Sequence, residues 1–253
     1  MTGHIIWQSM KIKYFAMLLE RKQLTLQRLA DKSETAEHKD FSKFIAECVV
    51  SGDLPGEDVI INADLAERVQ QWQYGIYFSC FYGLEFITYN IIKAFGGDHG
   101  VAVAFNQDTI IQRCEEHKAR LLPNENVICK HTEYIERISN TYLNSEFEAQ
   151  YPQIVFLKSP RYQDENEFRI VLDIRARQIN GVGEKARFDV FLSHPIEHLP
   201  ILLSDIVQIA IPRGDNLETI LETVMHSHGL RLDPIMDSDS LFDQPVVMYS
   251  VFQ

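Results

Sequence analysis

Short, largely apolar runs recur along this chain, and they restrict its fold more than any other feature. Each has the length of a buried strand and is bounded by glycine, proline or charged residues. The clearest are IYFSCF, GVAVAFN, IVFLKS and EFRIVLDIRA, and ILLSDIVQIAIP predicts a helical turn that leads into another strand. Between several of them lie segments with apolar residues at helical spacing, such as LEFITYNIIKAF and DTIIQRCEEHKARLL. The alternation predicts an α+β protein with a mixed central sheet flanked by helices.

The domain organisation follows from the same pattern. HIIWQSM, KIKYFAMLLERKQ and LTLQRLA predict an opening strand, helix and strand, whereas the charged, weakly periodic region 31–74 predicts a helical excursion. With 253 residues, the chain can bury one sizeable core. Because no repeat and no linker separates two large parts, we expect a single domain over residues 1–253.

Charge and cysteine content restrict the environment and the partners. The formal net charge of −12 disfavours non-specific attraction to nucleic acid, which stays possible only through a local basic patch. The four cysteines are widely spaced and form no CxxC motif, which favours reduced thiols. No apolar run approaches the roughly 18 residues of a membrane span, and the first residues do not resemble a secretory leader. We therefore expect a cytoplasmic protein with no membrane partner.

Common motifs of nucleotide and metal chemistry are missing from the sequence. It has no Walker lysine loop and no GxGxxG motif after a strand, and the glycines of AFGGDHG follow a predicted helix. His194 and His198 are separated by Pro195, while His226 and His228 point apart near a helix end. Solvated positions are favoured for these histidines, so none is predicted to bind a metal.

The segment SPRYQDENEFRIVLDIRAR concentrates charge at the start of a predicted strand. Asp164, Glu165 and Glu167 precede its apolar body. Alternation along a strand places Glu165 and Glu167 on one face, with Arg169 continuing that face. Two adjacent carboxylates repel each other, which raises one pKa unless a cation such as Lys158 compensates. A solvated, salt-bridged strand start is the alternative to a working site.

At these residues the chain resembles an uncharacterised bacterial family, the domain of unknown function 2971 family. The resembling segments are IIWQSMKIKYFAMLLERKQL, FSCFYGLEFITYNIIKAFGGDHGVAVAF, FLKSPRYQDENEFRI and LSDIVQIAIPRG, and they extend over most of the chain. The family often has Arg after the first Trp, where this chain has Gln8. This resemblance implies no established activity.

The order of elements is also similar to that of the ADP-ribosyltransferase superfamily, in which three strands carry the site. The first carries an Arg or His, for which the matching position is His4 or, less well, Arg28. The second carries a Ser, matched by Ser79, and the last begins with E-x-E, matched by Glu165 and Glu167. The resemblance implies a substrate, NAD, whose nicotinamide bond is cleaved through an oxocarbenium-like transition state.

The same resemblance implies a role for each position. Glu167 would stabilise the developing positive charge and Glu165 would activate the acceptor as a general base. Ser79 would orient Glu167, and His4 would bind the ribose or phosphate of NAD. Tyr162 or Phe81 would stack on the nicotinamide ring. Such an enzyme could be a bacterial toxin or phage-defence effector acting on a macromolecular acceptor.

Two other functions stay open at this stage. A metal-dependent nuclease or phosphodiesterase could use Asp164, Glu165 and Glu167 as Mg²⁺ ligands, since carboxylates are the oxygen ligands that this ion prefers. A non-catalytic protein could instead bind a protein partner through its acidic surface. The acceptor, whether protein, nucleic acid or water, is not determined by the sequence.

Overall fold

The structure is a computed structural model that describes residues 4–32, 72–135, 147–158, 160–175, 196–213, 216–237 and 246–252. Its strands are β1 (Ile5–Lys11), β2 (Gln23–Arg28), β3 (Ile76–Tyr82), β4 (Gly100–Asn106), β5 (Asn126–His131), β6 (Glu133–Tyr134), β7 (Leu157–Lys158), β8 (Glu167–Asp173), β9 (Ile196–Pro200), β10 (Ile206–Pro212), β11 (Arg231–Asp237) and β12 (Val246–Phe252). Its α-helices are α1 (Ile12–Arg21), α2 (Leu29–Lys32), α3 (Tyr89–Gly96), α4 (Gln107–Lys118), α5 (Phe147–Ile154) and α6 (Leu217–Ser227). Short 3-10 helices occur at Gln73–Gly75, Gly97–His99, Pro160–Glu165 and Leu203–Asp205. The expected α+β class is confirmed.

A large antiparallel sheet of ten strands forms the centre of the protein. Its main path runs in the order β11-β12-β10-β4-β1-β3-β2-β9, and a branch adds β8 beside β3 and then β5 beside β8. The central sheet was expected to mix parallel and antiparallel strands, but all of its pairings are antiparallel. Among the described residues, only the separate pair β6–β7 is parallel. Most of the predicted helical excursion, residues 33–71, lies outside the described residues.

Strand β3 has three pairing partners and connects the main path of the sheet to its branch. One end pairs with β1 through Trp7 and Tyr82, and the other end pairs with β2 through Arg28 and Tyr77. Along its opposite edge β3 pairs with β8 over its whole length. The start of β8, where the charged segment lies, is therefore fixed against the most heavily paired strand.

Most helices lie where the sequence predicts them, but α3 begins at Tyr89 rather than at the start of LEFITYNIIKAF. Thr88 and Asn106 precede α3 and α4, and their side chains accept hydrogen bonds from the backbone N–H groups of Ile91 and Thr109. α1 ends at Arg21, and the next residue, Lys22, has a left-handed backbone. The prediction of a strand over IVFLKS was wrong: it contributes only a two-residue strand, because its first residue ends α5 and residues 155–156 form a turn.

Apolar side chains cover both faces of the sheet. On one face, residues of α1, α4 and α6 pack against Ile6, Phe81, Phe105, Phe168 and Ile170. On the other face, α3 packs against Trp7, Tyr82, Ala102, Ala104 and Met248. Among the described helices, none is long and apolar enough to span a bilayer.

Candidate functional site

The first residue of β8, Glu167, forms the centre of a buried group of charges. Its side chain is 5% exposed and both its oxygens accept charge-assisted hydrogen bonds. Arg169 donates from Nε to Oε1 at 3.0 Å and from Nη2 to Oε2 at 2.9 Å. Lys158 Nζ donates to Oε2 at 2.9 Å. We call Lys158, Glu165, Glu167 and Arg169 the Glu167 cluster.

A second carboxylate joins the cluster from the solvent side. Lys158 Nζ also donates to Glu165 Oε2 at 2.6 Å, and the Glu165 side chain is 30% exposed. Strand alternation does not explain this meeting, because Glu165 ends a 3-10 helix and Asn166 has a left-handed φ of 41°. The prediction that the two glutamates are strand neighbours was wrong, although Lys158 does bring them together.

The cluster keeps Glu167 ionised despite its burial. Loss of water raises the pKa of the carboxyl, but the positive charges and hydrogen bonds of Arg169 and Lys158 outweigh this and lower the pKa to about 2. Two carboxylates and two cations leave the cluster without net charge. Lys158 therefore supplies the positive charge that was expected to compensate the two neighbouring carboxylates.

Backbone contacts fix Glu167 from two further elements. Its N–H donates to the Tyr134 hydroxyl at 2.8 Å, and its carbonyl accepts from the Thr132 N–H at 2.8 Å. The Cys80 side chain hydrogen-bonds the Glu167 carboxylate, and burial followed by the charge of Glu167 raises the pKa of that thiol. Arg169 Nη1 also donates a hydrogen bond to the Val155 carbonyl, which connects β8 to the turn that follows α5.

The residues nearest solvent belong to the 3-10 helix Pro160–Glu165. The Tyr162 ring is half-buried, with Lys158 Nζ 4.6 Å from its centroid. The exposed Arg161 guanidinium lies 4.7 Å from the same centroid. Of the two predicted stacking residues, Tyr162 therefore adjoins the Glu167 cluster.

Ser79 and Phe81 lie on the opposite face of the sheet from Glu167. Side chains directly opposite each other in an antiparallel pair share a face, and Glu167 is opposite Tyr82 whereas Ser79 is opposite Ile170. The Ser79 hydroxyl accepts a hydrogen bond from Gln8 Nε2 at 2.5 Å. The structure thus contradicts a role for Ser79 in orienting Glu167. Cys80 contacts the carboxylate instead.

Phe81 is a core residue. Its side chain is fully buried, and its ring packs against Phe105 and Phe168 with centroids 6.0 Å and 6.3 Å apart. A planar substrate cannot reach a ring enclosed in this way. The prediction that Phe81 stacks on nicotinamide was wrong, since strand alternation turns it into the apolar core.

The two predicted basic positions also lie apart from the Glu167 cluster. His4 is exposed before β1 and interacts electrostatically with His131, whose ring packs against Phe168 on the far face of the sheet. Arg28 is buried in β2 and forms an ion pair with Asp31 at 2.6 Å. Neither residue is brought to Glu165 or Glu167.

The carboxylates of this segment are arranged for cations of the protein rather than for a metal. Both Glu167 oxygens and one Glu165 oxygen bind Lys158 or Arg169, and Asp164 is exposed. Within the described ranges, no group of three or more His, Cys, Asp or Glu residues could hold a metal ion.

Sequence reasoning missed Tyr134 and Cys80 as partners of Glu167. Tyr134 lies in a two-residue strand within ENVICKHTEYI, a segment predicted as a strand, but nothing in the sequence indicates that its hydroxyl meets the start of β8. Cys80 carried no signal either, because its side of the sheet relative to Glu167 depends on the register of β3 against β8, in which Tyr82 lies opposite the glutamate.

Comparison with known proteins found no relative of this chain. No family model matches the chain, and no curated protein or solved structure matches it either. The resemblances described from the sequence stay predictions.

Proposed function

We propose that the protein is an ADP-ribosyltransferase-like or NAD-cleaving enzyme whose site is the surface formed by Arg161, Tyr162 and Glu165 above the buried Glu167. One observation carries the proposal: a single ammonium group, Lys158 Nζ, holds two carboxylates, of which one is buried and one reaches solvent. Paired carboxylates in unlike surroundings are the arrangement used in glycosidic bond cleavage.

The chemistry requires a carboxylate beside the sugar. Breaking the bond between nicotinamide and ribose leaves positive charge on the ribose, and a fixed negative charge beside it lowers the barrier. Glu165 can contact such a substrate, whereas Glu167 is 4% exposed and holds two cations. In our proposal Glu165 stabilises the charge and Glu167 positions Lys158. These roles differ from those that the resemblance implied.

The neighbouring residues suit the remainder of a dinucleotide. A planar guanidinium binds phosphate oxygens in pairs, and the exposed Arg161 holds its guanidinium 4.7 Å from the centre of the Tyr162 ring. The half-buried Tyr162 offers an aromatic edge to a base or to nicotinamide. NAD loss by such an enzyme would fit a bacterial toxin or phage-defence effector, and the acceptor is either water or a macromolecule.

The test is an assay of NAD with the purified chain. We expect release of nicotinamide that EDTA does not change and that Glu165→Gln abolishes. Glu165→Gln is the informative variant, because the residue is partly exposed and its loss leaves Glu167 and Arg169 paired. The matched control is Glu133→Gln, which removes an exposed carboxylate bound to Lys130 and should retain full turnover.

Glu167→Gln is a less informative variant. It removes the ionised carboxylate that the buried Lys158 and Arg169 share, which costs on the order of 3–5 kcal/mol of stability. Loss of activity could then follow from unfolding.

Three results would contradict the proposal. They are equal turnover in Glu165→Gln and the unaltered chain, no NAD loss with folded protein, and nucleic-acid cleavage that EDTA abolishes. Labelled NAD incubated with a cell lysate separates the two acceptors, since transfer of label identifies a macromolecule and free ADP-ribose identifies water.

A further inference from the structure

Two cysteine thiols meet in a part of the molecule that the proposed function does not use. Cys114 lies in α4 and Cys129 in β5, and these two elements pack against each other. Each thiol shifts the pKa of the other, which places the two side chains within interaction distance where α4 packs on β5. Cys114 is 1% exposed, whereas Cys129 is half-buried at the edge of the same apolar cluster.

The two sulfurs differ in reactivity. The interaction between the two thiols lowers the pKa of Cys129 and raises that of Cys114, and burial raises the latter further. The thiolate is the nucleophilic form of cysteine, and Cys129 is also the member of the pair that solvent reaches. Cys80 differs from Cys129, because burial and the neighbouring Glu167 raise its pKa.

We infer that Cys114 and Cys129 are a reversible redox pair that a hydroperoxide converts to a disulfide. The Cys129 thiolate attacks a peroxide oxygen, the O–O bond breaks, and the peroxide leaves as an alcohol or water. Cys114 then attacks the sulfur of the Cys129 sulfenic acid, forms the S–S bond and releases water. The two thiols lose two electrons, which reduce the hydroperoxide, and a dithiol reductant reverses the reaction.

The crosslink would connect one strand of the sheet to a helix that packs on the sheet. It joins α4 to β5, and Cys129 is paired with Ile170 of β8, next to the pair of Lys130 with Arg169. Oxidation would therefore restrain the strand that lies beside the Glu167 cluster. The inference does not depend on the proposed function.

The probe is hydrogen peroxide added to the full chain, followed by digestion and peptide mass mapping. We expect a disulfide between the peptides that contain Cys114 and Cys129, with reversal by dithiothreitol. Cys114→Ser should stop at a sulfenic acid on Cys129 that dimedone traps, and Cys129→Ser should lose both products. Cys80→Ser is the matched control and should form the disulfide as the unaltered chain does.

Several outcomes would overturn the inference. They are a stable sulfenic acid on Cys129 when Cys114 is present, a disulfide that contains Cys80 or Cys48, and peroxide treatment that leaves Cys129 unmodified while oxidising a small free thiol. Circular dichroism establishes that each variant folds. If Cys114→Ser does not fold, Cys129→Ser alone decides, because it removes the half-buried reactant and keeps the buried thiol.

Discussion

Glu167 is ionised although it is buried, because Arg169 and Lys158 replace the water that the carboxylate has lost. Its two oxygens accept three charge-assisted hydrogen bonds from these cations. Such bonds are stronger than those between neutral groups. The position of Lys158, and through it that of Glu165, therefore depends on a residue that a substrate does not reach.

Acid should destabilise the protein through Glu167. Its pKa is lowered from 4.5 in an ordinary glutamate to about 2 in the folded chain, so the unfolded chain binds a proton first as the pH falls. The stabilisation is present above pH 4.5 and is lost as the pH falls towards 2. Linkage gives a loss of about 3 kcal/mol from this group. Urea unfolding at a series of pH values measures it.

A matched variant identifies the group responsible. Glu165→Gln removes the partly exposed carboxylate and should retain the acid-dependent loss, because Glu167 keeps both cations. If stability stays constant in this range, or if Glu165→Gln removes the dependence, Glu167 is not the residue that links protons to folding.

The sequence predicted part of this site for physical reasons. Carboxylates beside Lys158 and Arg169 at a strand start require compensation, so their association follows from charge alone. The face of Ser79 could not be predicted, because it depends on the register of β3 against β8, which lies far along the chain. The left-handed Asn166 separates Glu165 from the start of β8. Its residue type was a signal, since Asn adopts this conformation more readily than most residues.

At the scale of elements, a close contact between two backbones joins the end of β3 to the start of β8. Gly83 N–H donates to the Asn166 carbonyl at 3.0 Å, and Asn166 Nδ2 donates to the Gly83 carbonyl at 2.8 Å. A Cβ atom at Gly83 would lie 2.6 Å from the Asn166 oxygen. The glycine is required here because the backbones approach too closely for a side chain.

Gly83→Ala should therefore destabilise the protein. Relieving the contact moves Asn166 and with it the residues on either side, at a cost of roughly 1–3 kcal/mol for an overpacked site. Urea unfolding of the variant measures the change. The control is Glu85→Ala in the same connection, an exposed residue whose replacement should change stability little. Equal stability of the two variants would contradict the role of this contact.

The elements themselves were largely predictable, because their apolar spacing reflects the faces they bury. The four helices α1, α3, α4 and α6 and most strands were expected. The exception is α5, which extends to Ile154, the first residue of IVFLKS. Tyr151 and Ile154 near its end are buried in apolar surroundings, and the Tyr151 ring centre lies 5.3 Å from that of Trp72. Trp72 is distant in sequence, so local pattern could not indicate this packing.

For the whole molecule, the branched sheet produces a graded distribution of stability. β4 has a strand on each side and its residues Val101–Phe105 are fully buried. β9 ends the main path and pairs only with β2 among the described strands. Local opening is rarest where burial and pairing are most complete.

Hydrogen exchange should reproduce this gradient. We expect the backbone amides of β4 to exchange most slowly and those of β9 to exchange much faster, because an edge strand can open without disturbing the core. Exchange followed by mass spectrometry of peptides measures both strands in one experiment. Equal protection of β9 and β4 would show that the two strands open together, against this description of the sheet.

The position of β3 also has a consequence for synthesis of the chain. Its partners β1 and β2 precede it, but β8, which fills its other edge, follows only after β4 and β5 have been made. During translation, β3 therefore emerges with an unpaired apolar edge and keeps it until the second half of the chain leaves the ribosome. A nascent chain of this design depends on shielding of that edge, and chains interrupted before β8 are prone to aggregate.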